Sequence, residues 1–178
     1  MERKKHKYTE QEAYTKLSAL CAVAEYCLYD MRKKMKEWSL VKGPTFGDGD
    51  STLDDAEKAN EECKERILKR LVEEKFIDEN RYAHAFVRDK FRYNKWGKVR
   101  ITQELRMRCI SQKNIDEALE EIDSNDNLDT LRELITKKRP SVKGKSEYEI
   151  RCKLIRFALG RGFSMDDAVK VVGDLDEV

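Results

Sequence analysis

The sequence predicts an all-α protein made of three tandem three-helix units. Charged residues make up 40% of the chain and there are only two prolines, a composition typical of helical proteins. Apolar residues recur at the three-to-four-residue spacing of helices, whereas runs of alternating β-branched residues are scarce, so no sheet is expected. The same pattern of basic and acidic helices recurs along the chain, which indicates a repeat. Because one such unit buries little surface alone, neighbouring units are expected to pack into an elongated, curved molecule.

The first unit is predicted to span residues 1–75. Thr9 and Glu12 form the pattern of a capping box, so a first helix is expected to begin there. A second helix is expected to carry one apolar stripe, made of Leu28, Met31, Met35 and Trp38. Three glycines and a proline then predict a loop over residues 39–51.

A long third helix is expected to complete the first unit. Its cap is predicted at Ser51 or Thr52, and its end near Lys75. The residues expected to face inward are Ala56, Cys63, Ile67 and Leu71. The first half of this helix is acidic, unlike the basic helices elsewhere in the chain.

The central unit, residues 76–123, has the clearest three-helix pattern. Asp78 is placed to cap its first helix, and a glycine-containing turn, Asn94 to Gly97, separates that helix from the second. Asn114 and Glu117 predict a capping box for the third helix. The apolar rows of these helices are Tyr82, Ala83, Phe86, Val87 and Phe91, then Ile101, Leu105 and Cys109, then Ile115, Ala118, Leu119 and Ile122.

The C-terminal unit is predicted to span residues 124–178. The polar run at 123–127 predicts a turn, and the helix after it is expected to stop before Pro140. The residues predicted to begin or end the last two helices are Ser146, Glu149, Gly160, Gly162 and Ser164. In the last helix Met165, Ala168, Val169 and Val172 are expected to face inward.

Opposite charges are segregated along the chain, although the formal net charge is only +2. Residues 81–113 hold ten lysines and arginines against two acids, and residues 114–131 hold seven acids and no base. Residues 132–161 then hold ten bases against three acids, and residues 162–178 hold five acids and one lysine. The simplest explanation is a solvated charged surface, but bases that cluster by helix also suit a binding surface.

Such basic stripes suit a phosphate backbone, and they equally suit an acidic partner protein. No set of base-reading side chains at an exposed helix start is evident, so sequence-specific DNA binding is not predicted. Trp96 is expected to pack in the core or against a neighbouring unit, with stacking on a base as the alternative. The candidate contact residues are Arg81, Arg88, Arg92, Lys95, Lys98, Arg100, Arg106, Arg108, Lys143, Lys145, Arg151, Lys153 and Arg156.

Catalytic, cofactor and metal sites are not predicted. The sequence has no phosphate-binding loop, no glycine-rich dinucleotide turn and no H-E-x-x-H motif. Two histidines, His6 and His84, do not make a zinc site, and five cysteines without a C-x-x-C pair indicate reduced thiols. No stretch approaches the roughly 20 uncharged apolar residues of a membrane span, and no signal peptide is evident, so a cytoplasmic protein is expected.

The sequence FIDENRYAHAFVRDKF at 76–91, followed by KWG at 95–97 and the repeated I-x-x-[EK]-L, resembles the RecX family of bacterial RecA modulators. That resemblance implies a helical-repeat protein that binds the RecA filament on single-stranded DNA. It also implies inhibition of the RecA ATPase and of strand exchange, in recombination, DNA repair and the SOS response. The motif positions carried over, most of them expected to be structural, are Arg81, Tyr82, Lys95, Trp96 and Gly97.

The chain departs from the family pattern in two places, namely its longer first unit with the glycine-rich loop and the acidic run at 54–65. The leading hypothesis is a monomeric, non-enzymatic inhibitor of RecA. Whether its first unit takes part in docking is left open by these two differences. One alternative is a helical protein that binds single- or double-stranded DNA without RecA. The other is a helical scaffold for a different acidic partner.

Overall fold

A computed structural model describes residues 6–41 and 53–174, and within these it has nine α-helices, which confirms the all-α class. The chain divides into two compact parts, an N-terminal part (1–82) and a C-terminal part (83–178), with the division inside one helix. The elements are β1 (His6–Thr9), α1 (Glu10–Val23), α2 (Leu28–Met35), β2 (Trp38–Val41), α3 (Leu53–Glu73), α4 (Glu79–Arg92), α5 (Lys98–Met107), α6 (Gln112–Leu119), α7 (Ser124–Lys138), a 3-10 turn (Arg139–Ser141), α8 (Glu147–Arg161) and α9 (Met165–Asp174).

In the N-terminal part, α1 and α2 both pack on the long helix α3. The predicted capping box begins α1, since Thr9 Oγ1 accepts from the Glu12 N–H and the Glu12 carboxylate accepts from the Thr9 N–H. The buried core includes Leu17, Met31, Met35, Ile67 and Leu71. Ala56, expected to face inward, is exposed, because it lies in the first turn of α3, beyond this core.

Two short strands pair in parallel in the N-terminal part, although no sheet was predicted from the sequence. Tyr8 of β1 lies opposite Leu40 of β2, and the rings of Tyr8 and Trp38 are 4.7 Å apart between centroids. Trp38 was predicted on a helical stripe and residues from Ser39 in a loop, and both predictions are wrong. Strands of four residues are too short to show an alternating pattern. Residues 42–52, which hold the rest of that loop and the predicted caps of α3, lie outside the described residues.

In the C-terminal part, α5 packs on α6, while α7, α8 and α9 pack on one another. The core of the last three helices includes Leu131, Ile135, Leu154, Phe163 and Val172. Helix α4 begins in the N-terminal part, where the Arg81 N–H donates to Asp78 Oδ1 at 2.9 Å, which confirms the predicted cap. Ser146 and Ser164 likewise accept from the N–H groups of Glu149 and Asp167.

Several predicted boundaries in the C-terminal part are wrong by a few residues. Helix α6 begins earlier than expected because Ser111, not Asn114, is its cap, with the Ser111 hydroxyl accepting from the Asn114 N–H. Helix α5 ends at Met107, so Cys109 leaves the apolar row and is exposed with a φ of 59°.

The polar run at 124–127 is also not a turn. It forms the first turn of α7, because Asp123 caps that helix by accepting from the Asn125 N–H. In α9, Met165 and Val169 are exposed rather than inward, because the helix turns Ala168, Val171 and Val172 to the core. The division into three units and the curved shape stay predictions.

Candidate partner-binding surface

Four predicted contact residues lie in or near the turn that begins α8, around Glu149. We call them the α8 cluster: Lys143, Lys145, Lys153 and Arg156. The Lys145 N–H donates to Glu149 Oε2 at 2.9 Å, and the Lys153 ammonium lies 2.6 Å from Glu149 Oε1. The same ammonium donates to the Lys143 carbonyl at 2.8 Å. Arg156 follows Glu149 by two helical turns and so lies on the same side of α8. The loop and the helix thus present four bases around one acid.

Close packing holds the loop of the α8 cluster in place. Gly144 separates its two lysines, and a Cβ at Gly144 would lie 2.8 Å from Cγ1 of Ile150. The loop backbone therefore lies tightly against α8, which a larger residue would prevent. Because the Ser146 cap and the Glu149 carboxylate both hold this turn, the two lysines leave the loop at fixed points.

The α8 cluster is strongly electropositive. The hydrogen bond from Lys153, together with that from the Lys145 N–H, lowers the pKa of the Glu149 carboxyl, which is therefore ionised at neutral pH. Its single negative charge interacts with the positive charges of Lys153 and Arg156. The side chains of Lys143, Lys145 and Arg156 are exposed and form no ion pair within residues 6–41 and 53–174. These three bases can meet an acidic ligand without first breaking an internal pair.

The predicted bases of α4 differ in their surroundings. Glu121 lies 2.6 Å from His84 Nδ1 and 3.9 Å from Arg88 Nε, so Arg88 is partly neutralised. Arg92, in the last turn of α4, is exposed and has no ion pair among the residues that the structure describes. Arg81 belongs to the N-terminal part, where its Nε lies 2.6 Å from Glu25 Oε1.

The predicted bases between Lys95 and Arg108 contact other groups of the C-terminal part. The Lys98 ammonium donates to the Ile122 carbonyl at 2.6 Å, and Arg108 donates to both the carbonyl and the carboxylate of Glu104. Other described contacts join Lys95 to Glu133, Arg100 to the Gly160 carbonyl, and Arg106 to the Gln112 amide oxygen. Arg151 is exposed on α8, with Nη2 near Gly173. The contacts of Lys98 and Arg108 with carbonyl groups of the protein give these two residues a structural role.

The KWG motif forms a backbone junction inside the C-terminal part. The Gly97 N–H donates to the Arg161 carbonyl at 2.9 Å, and the Val99 N–H donates to the Gly162 carbonyl at 3.0 Å. A Cβ at Gly97 would lie 2.2 Å from the Gly162 oxygen, so only glycine fits at this position. Gly162 itself has a φ of 88°, in the left-handed region that favours glycine.

Trp96 packs within the same region, as the sequence favoured. Its ring is half-buried, and the guanidinium carbon of Arg100 lies 4.0 Å from the ring centroid. The Lys90 ammonium lies 5.4 Å from that centroid. Arg161 was not among the predicted contact residues, yet its guanidinium donates to the Asn94 carbonyl and ties α8 to the turn before Gly97. No local motif marks that contact, because it joins residues far apart in the sequence.

The structure adds two observations about other kinds of site. Among the described residues, no group of three or more histidine, cysteine or acidic side chains is placed to hold a metal ion. In the same residues, no helix combines the length and the apolar character needed to cross a membrane.

Comparison with known proteins points to one family. Residues 78–119 match the family model described as RecX, second three-helix domain, and residues 125–172 match the one described as RecX, third three-helix domain. A regulatory protein RecX from Chlorobium phaeobacteroides is 32% identical over 121 residues, which are 68% of this chain and 76% of that protein. The chain belongs to the RecX family. Its central and C-terminal helices are therefore RecX three-helix domains, and the family's members are named regulatory proteins.

Other RecX proteins match over a smaller share of their length. The Clostridium acetobutylicum protein is 31% identical over 120 residues, covering 65% of this chain and 55% of that protein. The Clostridium tetani protein is 29% identical over 113 residues, covering 62% of this chain and 51% of that protein. The chain thus spans little more than half the length of these relatives.

Two solved RecX structures share the fold. One, a regulatory protein RecX, has a TM-score of 0.68 at 22% identity and covers 93% of this chain and 73% of its own. The RecX of Lactobacillus salivarius has a TM-score of 0.67 at 16% identity and covers 95% of this chain and 97% of its own. At identities this low, the similarity shows only that the helical fold is shared.

Proposed function

We propose that this chain is a negative regulator of the RecA recombinase. It binds the RecA filament on single-stranded DNA as a monomer in the cytoplasm, and it inhibits the RecA ATPase and strand exchange. Its action bears on recombination, DNA repair and the SOS response. It acts by binding and has no catalytic role of its own.

The observation that carries this proposal is the match of residues 78–119 and 125–172 to two successive RecX domains. The α8 cluster supports it, because Lys143, Lys145 and Arg156 are exposed and form no ion pair among the described residues. Such bases suit either acids on RecA or phosphates of its DNA. Arg92 is a further base of this kind.

The proposed mechanism relies on several weak contacts made at once. An exposed ion pair contributes about 0.2–1 kcal/mol, so no single base of the α8 cluster holds a filament alone. Once one contact holds the protein on the filament, contacts to neighbouring subunits form at a high effective concentration, and the overall affinity rises. A protein that bridges subunits in this way hinders the movements that accompany ATP turnover, or it blocks addition of RecA at a filament end.

The same exposed bases favour a second candidate, a protein that binds DNA without RecA. Binding to phosphates alone depends steeply on salt, with a slope of about 0.7 per neutralised phosphate on single strands. That slope and the need for RecA separate the two functions.

The test is the RecA ATPase on single-stranded DNA, with this protein titrated at two salt concentrations. Inhibition well below one protein per RecA supports capping of filament growth, and inhibition only near one-to-one supports binding along the filament. Unchanged ATPase together with tight binding to bare DNA contradicts the proposal and favours the second candidate.

A further inference from the structure

A groove of about 670 Å³ lies between α5 and the end of α8, beside the KWG junction. Three apolar side chains of its lining are unusually exposed, namely Val99 at 44%, Met107 at 59% and Leu159 at 37%. Exposed apolar groups that share one concave surface are typical of sites that bind another molecule. Neither the fold nor the α8 cluster explains this groove.

Gly160 keeps the groove open. Unlike Gly97 and Gly162, it has no heavy atom within 4 Å of the position of a Cβ, and its φ is not positive. Neither close packing nor backbone conformation therefore requires glycine in this last turn of α8. Glycine in a helix is less favourable than alanine by up to about 1 kcal/mol, so a side chain here would be tolerated by the fold. What glycine provides is an unobstructed wall.

The groove also carries uncompensated positive charge. Arg100 stands over Trp96 and donates to the Gly160 carbonyl, and Arg106 donates to the amide oxygen of Gln112. All these partners are neutral. The one acid of the lining, Glu104, is already held at 2.6 Å by Arg108. Two guanidinium groups thus flank an apolar floor, and neither of them forms an ion pair with a carboxylate of the described residues.

We propose that this groove binds a peptide segment that carries large apolar side chains flanked by carboxylates. The inference rests on the proposed function in that the segment belongs to RecA. Apolar side chains of the peptide cover Val99, Met107 and Leu159, and its carboxylates meet Arg100 and Arg106. A protein suits this groove better than a nucleic acid, because stacking of bases uses aromatic rings and the described lining residues include none.

The first test needs no RecA. A synthetic peptide of about twelve residues, with leucines at helical spacing and glutamates between them, is titrated into the full chain labelled at methionine methyl groups. The Met107 methyl resonance should shift and saturate below about 1 mM peptide. The resonance of Met165, exposed on α9, should stay in place. A matched peptide with serines for leucines, and an oligothymidine of similar charge, serve as probes of charge alone.

Each outcome of this titration decides the inference. A shift of Met107 with the leucine peptide alone supports it. No shift up to about 1 mM overturns it, and so does an equal shift with the serine peptide or the oligothymidine.

A blocking variant extends the test to RecA. Gly160→Gln adds a side chain to the wall of the groove, and its Cβ meets no heavy atom within 4 Å, so the protein should fold. The peptide affinity should fall about tenfold. The control is Tyr148→Gln, which puts the same side chain at a 78% exposed position in the first turn of α8 and should change the affinity by less than about twofold. Equal peptide binding by wild type and Gly160→Gln overturns the inference.

Binding of the RecA filament by wild type and by Gly160→Gln tests the groove and the proposed function separately. If Gly160→Gln weakens binding of the RecA filament about tenfold, both stand. If wild type and Gly160→Gln bind the filament equally, the groove is not the RecA contact and the inference fails, while the proposed function stands. If wild type binds the leucine peptide but not the filament, the groove stands and the proposed function fails.

Discussion

Replacing Gly97 by alanine should strongly destabilise the C-terminal part. The φ of Gly97 is −76°, which any residue adopts, so glycine is needed here only for space. An added Cβ would lie 2.2 Å from the oxygen and 2.4 Å from the carbon of the Gly162 carbonyl. These are backbone atoms, so they cannot move aside as the end of a side chain can, and the two segments must separate.

The size of the effect follows from the contacts that such a separation removes. Two backbone hydrogen bonds, Gly97 N–H to Arg161 and Val99 N–H to Gly162, contribute about 1 kcal/mol each. Forcing extra volume into a packed site costs a further 1–3 kcal/mol or so. The free energy of unfolding should therefore fall by about 3–5 kcal/mol in Gly97→Ala, a large share of the usual stability of a small domain.

The assay is urea denaturation followed by circular dichroism, with the free energy extrapolated to water. Gly160→Ala is the matched control, since it adds the same methyl group where nothing lies within 4 Å. Its stability should stay equal to wild type or rise by up to about 1 kcal/mol. A Gly97→Ala protein within about 0.5 kcal/mol of wild type would refute the close approach of the two glycines.

Three further predictions concern charges and thiols. Arg66 donates a hydrogen bond to the Glu10 carboxylate and so lowers the pKa of that carboxyl from its usual 4.5. The ionised carboxylate therefore stabilises the fold above about pH 4.5, and this stabilisation is lost on acidification. In acid titrations, Glu10→Gln should lose stability less steeply than wild type below about pH 4.5. Burial raises the pKa of the Cys63 thiol to about 11, so mass spectrometry should show iodoacetamide modifying exposed Cys109 well before Cys63, and equal rates would contradict this. Lys98→Met should lower the free energy of unfolding by about 1 kcal/mol, because its half-buried ammonium caps the carbonyl that follows α6; unchanged stability in urea would show that water replaces it.

The presence of most helices could be predicted from the sequence, because the capping residues and apolar spacing that indicate a helix are local. The capping box at Thr9 and the caps at Ser146 and Asp78 each involve residues three apart, and the structure confirms all three. The boundaries failed where two local signals compete. Ser111 and Asn114 can both cap α6, and in the structure the Ser111 hydroxyl accepts from the Asn114 N–H, which places Asn114 inside the helix.

Contacts between distant residues could not be predicted in the same way. The pairing of β1 with β2 joins residues some thirty positions apart, and four-residue strands carry too little pattern to reveal it. The candidate surface shows the same limit. Composition identified the basic helices, but only the structure separates Lys98, which holds a backbone carbonyl, from Lys145 and Arg156, which have no ion pair among the described residues.

We expect this RecX chain to bind the RecA filament and the α8 cluster to contribute to that binding. The most direct measurement is the affinity of fluorescently labelled protein for RecA filaments on single-stranded DNA, beside its affinity for the bare DNA. A variant with Lys143, Lys145 and Arg156 changed to glutamine removes three exposed bases without breaking an ion pair within the described residues. The control variant changes three exposed lysines that are in helical ion pairs, namely Lys69, Lys113 and Lys137.

Wild type should bind filaments more tightly than bare DNA. The α8 cluster variant should lose about tenfold in filament affinity, since three contacts at about 0.5 kcal/mol each amount to roughly that factor. The control variant should retain its filament affinity within about threefold. Equal affinity of wild type for filaments and bare DNA, or equal filament affinity of the two variants, would contradict the account.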